Sequence, residues 1–152
     1  MPRFFFDTSA ITKHYHGEIG TPRVDSLLAT PGATFLVTRL AVVEVHSALA
    51  KKVRLGLLNR PNFEKMARRF RGDLRRRVWA TVRLTTAHFE AAGRLIQRIG
   101  LMQNLRTLDA LQLAAALSLN EPTQPLEFVC ADQGLCVIAA AEGLSVINPE
   151  AV

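Results

Sequence analysis

Residues 3–11 read RFFFDTSAI. Arg3 to Phe6 carries three phenylalanines in succession, short enough for a buried strand, and the run stops at an acid, Asp7. Asp7, Thr8 and Ser9 are successive helix-capping residue types, so a helix should begin here and run towards Gly17. The same order of events recurs near the other end, where residues 126–136 read LEFVCADQGLC. Leu126 to Cys130 reads as a strand, and Asp132 to Ala141 as a helix. Between them the pattern keeps alternating. Thr21 to Leu28 is a helix closed by the turn signal Thr30-Pro31-Gly32, and Thr34 to Val37 is a β-branched strand. Thr38 caps a helix from Arg39 to about Leu55. Strands alternating with helices imply a parallel sheet covered on both faces, the α/β class.

The rest of the chain fits that scheme. Asn59 followed by Pro61 looks like a cap and an early helical proline. Beyond it Phe63, Met66, Phe70, Leu74 and Val78 recur at helical spacing, with arginines on the remaining faces. Val82 to Leu84 reads as a short strand and Thr86 to Ile99 as a helix. Thr107 caps a helix through Leu119, Pro122 and Pro125 punctuate a loop, and Leu144 to Ile147 is a last strand. The linkers are short and no internal repeat is visible, so residues 1–152 are expected to form one domain.

A hydrophobic fraction of 49% with 21% charged residues belongs to a folded protein rather than a disordered one. Two cysteines, Cys130 and Cys136, are too few for a disulfide scaffold, which points to a reducing cytosol and a cytoplasmic protein. MPRFFFD lacks the organisation of a signal peptide, and charge breaks the apolar stretches before they reach bilayer-spanning length, so no membrane role is expected. The net charge of +6 suggests a polyanionic or acidic partner. Arg68, Arg69, Arg71, Arg75, Arg76 and Arg77 crowd one segment, and Arg68, Arg71 and Arg75 share a stripe suited to an RNA backbone or to an acidic protein segment.

Against this positive field, Asp7, Glu44, Asp109 and Asp132 interrupt the apolar stretches FFFD, LAVVEV, LDALQLAAAL and FVCAD. Carboxylates near a core are costly unless paired or coordinated, and several that converge suit a hard divalent cation. In an open parallel sheet, ligands bind outside the carboxyl ends of the strands. Asp7 and Asp132 follow strands, Glu44 lies about one and a half turns into the helix after Thr34 to Val37, and Asp109 lies in the first turn of its own helix. Three of the four have a plainer reading. Asp7 and Asp132 serve as N-caps in that reading, and Asp109 answers the helix dipole. Glu44 resists one, because its helical neighbours are apolar and no basic residue lies three or four positions away.

At FFFDTSA, TRLAVVEVHSAL, LRTLDALQLAAAL and FVCADQGLCVIAAAEGLSVINPE the chain resembles the PIN domain family, and within it the VapC type of toxin ribonuclease. The resemblance covers essentially the whole chain. It implies a three-layer α/β/α sandwich with a mainly parallel central sheet, and a metal-dependent endoribonuclease using Mg²⁺ or Mn²⁺. Residue by residue, Asp7, Glu44, Asp109 and Asp132 match the acidic quartet. Ser9 matches the hydroxyl residue near the first aspartate, and Arg106 a basic position before the third acid. Ala131 departs from the serine or threonine many relatives carry there. Asp7 and Asp109 are the expected direct ligands, with Glu44 and Asp132 holding metal-bound waters or a second ion. The resemblance also implies a cognate antitoxin protein and a symmetric homodimer.

Other functions compete. A PIN nuclease of RNA maturation or decay needs no antitoxin, and a non-catalytic RNA- or protein-binding PIN domain needs no acids. A haloacid dehalogenase phosphatase wants an aspartate where Ser9 stands. A receiver domain wants a lysine after a late strand, and Phe128 to Ala131 has none. His14 and His16 would diverge on a helix, which argues against zinc, and Trp79 reads as a packed core residue rather than a base-stacking one.

Overall fold

The computed structural model describes residues 1–151. Its five strands are β1 (Arg3–Phe6), β2 (Thr34–Thr38), β3 (Ala80–Val82), β4 (Glu127–Val129) and β5 (Ser145–Ile147). They form one sheet in the order β3-β2-β1-β4-β5. Every adjacent pair is parallel, with Phe5 opposite Leu36 on one side and Phe128 on the other. From β1 the chain first winds outward through β2 to β3, then returns to β4 and winds the other way to β5. The direction reverses between β1 and β4, and that is where an open parallel sheet opens a crevice at its carboxyl edge.

Among the described residues seven helices fill the crossovers. On one face, α1 (Thr8–Tyr15), α2 (Thr21–Leu28), α3 (Arg39–Arg54) and α4 (Arg60–Arg75) cover Phe4, Phe6, Val37 and Val129. On the other, α5 (Thr86–Ile99), α6 (Thr107–Leu119) and α7 (Gln133–Ala141) cover Phe5 and Phe128. Alternate residues of β1 therefore feed two separate cores, which is why the strand is apolar at every position after Arg3. The result is the three-layer sandwich. No helix is long and apolar enough to cross a membrane among the described residues.

The capping residues set the helix starts. Asp7, Thr38, Asn59 and Asp132 each accept a backbone N–H of the following first turn. The structure departs from expectation around Trp79. Helix α4 ends at Arg75, Arg77 takes a left-handed φ of 59°, and Val78 lies beyond the helix. The third strand is Ala80–Val82 rather than Val82 to Leu84. The cause is Trp79, which is buried against Phe6 and donates its indole N–H to the Tyr15 hydroxyl at 2.7 Å. Fixing that large ring pulls the strand two residues earlier. At α6 the N-cap is Arg106, and Thr107, read from the sequence as the cap, is the first helical residue.

Candidate active site

Asp7 leaves β1 with its own N–H donating to Val129 O at 2.9 Å, so it continues the β1–β4 ladder into the crevice. Its Oδ2 accepts from Ser9 N at 3.1 Å and from Ser9 Oγ at 2.7 Å. Only 5% of the residue is exposed. Burial pushes its pKa up to about 6, against the lowering effect of the Ser9 bonds, and the carboxylates of Asp109 and Glu44 push it further the same way. Burial, more than its acidic neighbours, thus makes the charged form of Asp7 costly. Ser9 does a second job: its Oγ accepts the Ala131 amide at 3.0 Å and joins the ends of β1 and β4. Ala131 thus takes part through its backbone, which needs no hydroxyl side chain.

Glu44 is held from one side only. Its Oε1 accepts from Thr8 Oγ1 at 3.0 Å and from Gln112 Nε2 at 3.0 Å. Gln112 is itself 1% exposed, and its Oε1 accepts from Thr38 Oγ1 at 2.9 Å. The Thr38 hydroxyl oxygen already accepts Ala41 N at 3.0 Å, so its proton is free to go to Gln112. That leaves the Gln112 amide one orientation, NH₂ towards Glu44. Both donors converge on Oε1, and Oε2 has no hydrogen-bond partner among the described residues. Thr8, Thr38 and Gln112 were not anticipated as site residues. Gln112 is hidden within the apolar run 110–116 of α6, and a buried glutamine one turn after Asp109 was the available signal.

Asp109 and Asp132 are linked by Arg106. Its Nε lies 3.0 Å from Asp109 Oδ2 and its Nη2 lies 3.9 Å from Asp132 Oδ2. The bond to Asp109 holds the guanidinium more firmly charged than usual, with smaller contributions from Asp132 and Asp7. Asp132 also caps α7, accepting Leu135 N on Oδ1 at 2.9 Å. A cleft of about 460 Å³ opens beside this pair, between Gln103 and Asn104 on one rim and Gly134 on the other. Asp7 and Glu44 do not line it.

The donors fit a hard divalent cation in kind and charge: all are carboxylate oxygens, and the buried Asp7 lacks a counter-charge of its own. Their spacing limits how such an ion would be held. No three His, Cys, Asp or Glu side chains stand together as a ready metal cage among the described residues. Two carboxylates with waters completing the shell is the arrangement Mg²⁺ favours. Arg68, Arg71 and Arg75 lie elsewhere, exposed on α4. No side-chain hydrogen bond or ion pair holds them among the described residues. Arg69 instead lies over the Tyr15 ring, and Arg76 pairs with the buried Asp73 at 2.6 Å. His14 and His16 diverge, one to Asp25 and the other to Lys52.

The family model described as the PIN domain matches residues 4–140. No curated protein matches the chain in sequence at a significant level. Among solved structures, the chain is similar to a toxin–antitoxin complex from Klebsiella pneumoniae, at 18% identity and a TM-score of 0.65, covering 98% of this chain and 99% of that one. It is similar to VapC20 of Mycobacterium tuberculosis, a toxin that cleaves the sarcin–ricin loop, at 15% identity and a TM-score of 0.70, over 96% and 99% of the two chains. It is also similar to FitAcB from Neisseria gonorrhoeae, at 17% identity and a TM-score of 0.65, over 98% and 99%. At these identities the likeness is one of fold.

Proposed function

The chain belongs to the PIN domain family, and from that premise we propose that it is a Mg²⁺- or Mn²⁺-dependent endoribonuclease, the toxin of a toxin–antitoxin pair. The observation that carries the reading is Asp7: a buried carboxylate at the reversal point of the sheet, its pKa raised by burial and by Asp109 and Glu44. A fold leaves such charge unpaired at a ligand crevice when function needs it there.

In this reading Asp7 and Asp109 would hold the metal, with Glu44, whose Oε2 is free, and Asp132 beside them as the residues that would hold its waters. When bound, the ion supplies an activated water and neutralises charge on the phosphodiester oxygens. The chain's own groups do the positioning. Ser9 fixes the Asp7 carboxylate, and Gln112 and Thr8 fix Glu44. Arg106 offers a cation at the mouth of the site, where an RNA phosphate enters. The close acids titrate as a set, so no single one is assigned as general base.

The net charge of +6 draws RNA towards this acidic site and equally suits an acidic antitoxin segment. One of the similar folds comes from a toxin–antitoxin complex and another is a toxin, which supports an antitoxin partner here. A homodimer belongs to the same reading; light scattering that finds only monomer at micromolar concentration would remove it. The free thiols Cys130 and Cys136 suit a reducing cytoplasm.

The test is cleavage of labelled RNA by purified protein with Mg²⁺ or Mn²⁺, with chelator, and with Asp7→Asn and Asp109→Asn. Metal-dependent cleavage lost in both variants is expected. Full activity in chelator or in either variant overturns the mechanism. Cleavage without growth arrest on expression would leave a nuclease of RNA maturation or decay.

A further inference from the structure

The cleft beside Asp109 and Asp132 has a chemistry of its own. Its floor is apolar: Leu135 and Ile138 line it, and both are almost fully buried. Its rim is polar, built from Gln103 and Asn104 in the middle of the α5–α6 connection and Arg106, the N-cap of α6. Neither the Gln103 nor the Asn104 side chain makes a hydrogen bond among the described residues, although each amide offers a donor and an acceptor.

The loop that carries these amides is held in place. Gln103 N donates to Ile99 O at 3.0 Å, Leu105 N donates to Gln103 O at 3.0 Å, and the Leu105 side chain is buried in the core beneath α5 and α6. The amides are thus displayed from a fixed backbone while their own polar atoms remain uncommitted, the arrangement a recognition site needs. A volume of about 460 Å³ falls in the range of small-molecule clefts, about 300–1,000 Å³.

We propose that this cleft is a nucleobase subsite, which seats one unpaired base of the RNA beside the scissile phosphate and reads its edge with Gln103 and Asn104. Leu135 and Ile138 give the face of a base an apolar contact, and paired amide donors and acceptors match the edge of one. The acids at the back of the cleft demand that whatever enters be joined to the group they act on, and a base is joined to its phosphate through one ribose. A duplex does not fit, because its base edges are already paired and stacked. The subsite rests on the nuclease reading above and adds to it the source of sequence preference.

The experiment uses the full chain and the double variant Gln103→Ala/Asn104→Ala on an RNA pool randomised around a single-stranded junction, with Mn²⁺ present and the cut ends sequenced. In parallel, the side-chain amide resonances of Gln103 and Asn104 are followed while AMP, GMP, CMP and UMP are added in turn. We expect the wild type to favour one base at one position by tenfold or more, and the double variant to lose that bias to below twofold while still cutting. We expect one or two of the nucleotides to shift both amide resonances. A variant that keeps the wild-type bias, or a wild type that cuts without bias, overturns the subsite and leaves the nuclease standing. If the wild type cuts no RNA, the nuclease reading falls, and the resonances then decide the subsite alone: unmoved amides reject it, and base-selective shifts uphold it.

Discussion

Ser9 and Ala131 meet across the gap between β1 and β4, the Ala131 amide donating to Ser9 Oγ at 3.0 Å while Ser9 Oγ donates to Asp7 Oδ2 at 2.7 Å. One hydroxyl therefore both closes the strand ends and aims the deepest acid. Ser9→Ala removes the acceptor of a half-buried amide and a donor to a buried carboxylate. Stranding such groups costs about 1–3 kcal/mol, to be read by urea unfolding. The Ser9 bonds are what hold the Asp7 pKa down. Ser9→Ala should thus also move metal-induced stabilisation to higher pH. A variant equal to wild type in both measurements would remove Ser9 from the site.

Asp7 gives stability a pH dependence of unusual sign. Its pKa is about 6 in the folded protein against an ordinary 3.8, so between these values the folded state holds a proton that the unfolded state has released. The contribution of this group without metal is therefore greatest below pH 4 and is lost as pH rises through 6. The loss amounts to about 3 kcal/mol at most, since one pKa unit is about 1.4 kcal/mol. Asp7→Asn keeps an oxygen for the Ser9 donors and cannot ionise. In chelator at pH 7.5 the variant should be more stable than wild type, and the two should converge near pH 4. Mn²⁺ should stabilise only the wild type, and less so as pH falls below 6. Equal stability of the two proteins across this range would show that Asp7 carries no buried charge.

Gln112 is the residue most worth removing among those not foreseen. Gln112→Leu preserves the volume but strands the Thr38 hydroxyl proton and takes one of two donors from Glu44 Oε1. We expect a loss of about 1–3 kcal/mol per stranded group. Supporting partners of this kind typically contribute about 10–100-fold to metal affinity or activity. The half-saturating Mn²⁺ concentration should rise accordingly. In the Glu44→Gln background the same change should add little, because the carboxylate it orients is gone. Full additivity of the two would mean that Gln112 supports the core alone.

What could be read from residue order was what depends on short-range chemistry. Asp7, Thr38, Asn59 and Asp132 announce their caps because the capping oxygen and the N–H it accepts lie two or three residues apart. The two-sided sheet is legible in Phe4-Phe5-Phe6, which has no polar alternation to spend on solvent. What depends on distant pairing was not legible. The third strand begins at Ala80 because Ala80 pairs with Leu36 and Trp79 packs on Phe6, contacts made with residues more than 40 positions earlier in the chain. Arg106 looked like a neighbour of Asp109 alone; its reach to Asp132 exists only because α6 and α7 start at the same sheet edge. Gln112 stands out in sequence only as a polar residue one turn after Asp109, and the partners that give it a role, Thr38 and Glu44, lie more than 65 positions away.

The last prediction concerns the exposed stripe of α4. Arg68, Arg71 and Arg75 lie on one helix face and make no side-chain bond among the described residues, whereas Arg69 and Arg76 are engaged with Tyr15 and Asp73. A cation without an internal partner on a chain of net charge +6 is available to a polyanion. If the three contact RNA phosphates, replacing all with glutamine should weaken binding and flatten the dependence of log affinity on log salt by about 0.7 per lost contact on single strands. Cleavage of RNA already bound should change little, because none of the three belongs to the acid site. If they serve an antitoxin instead, RNA affinity and salt slope should stay as they were while neutralisation by the partner is lost. Phosphate contact is the outcome we expect: an acidic crevice repels the substrate it must admit, and the attraction has to come from charge outside it. An unchanged salt slope together with unchanged affinity at low salt would rule it out.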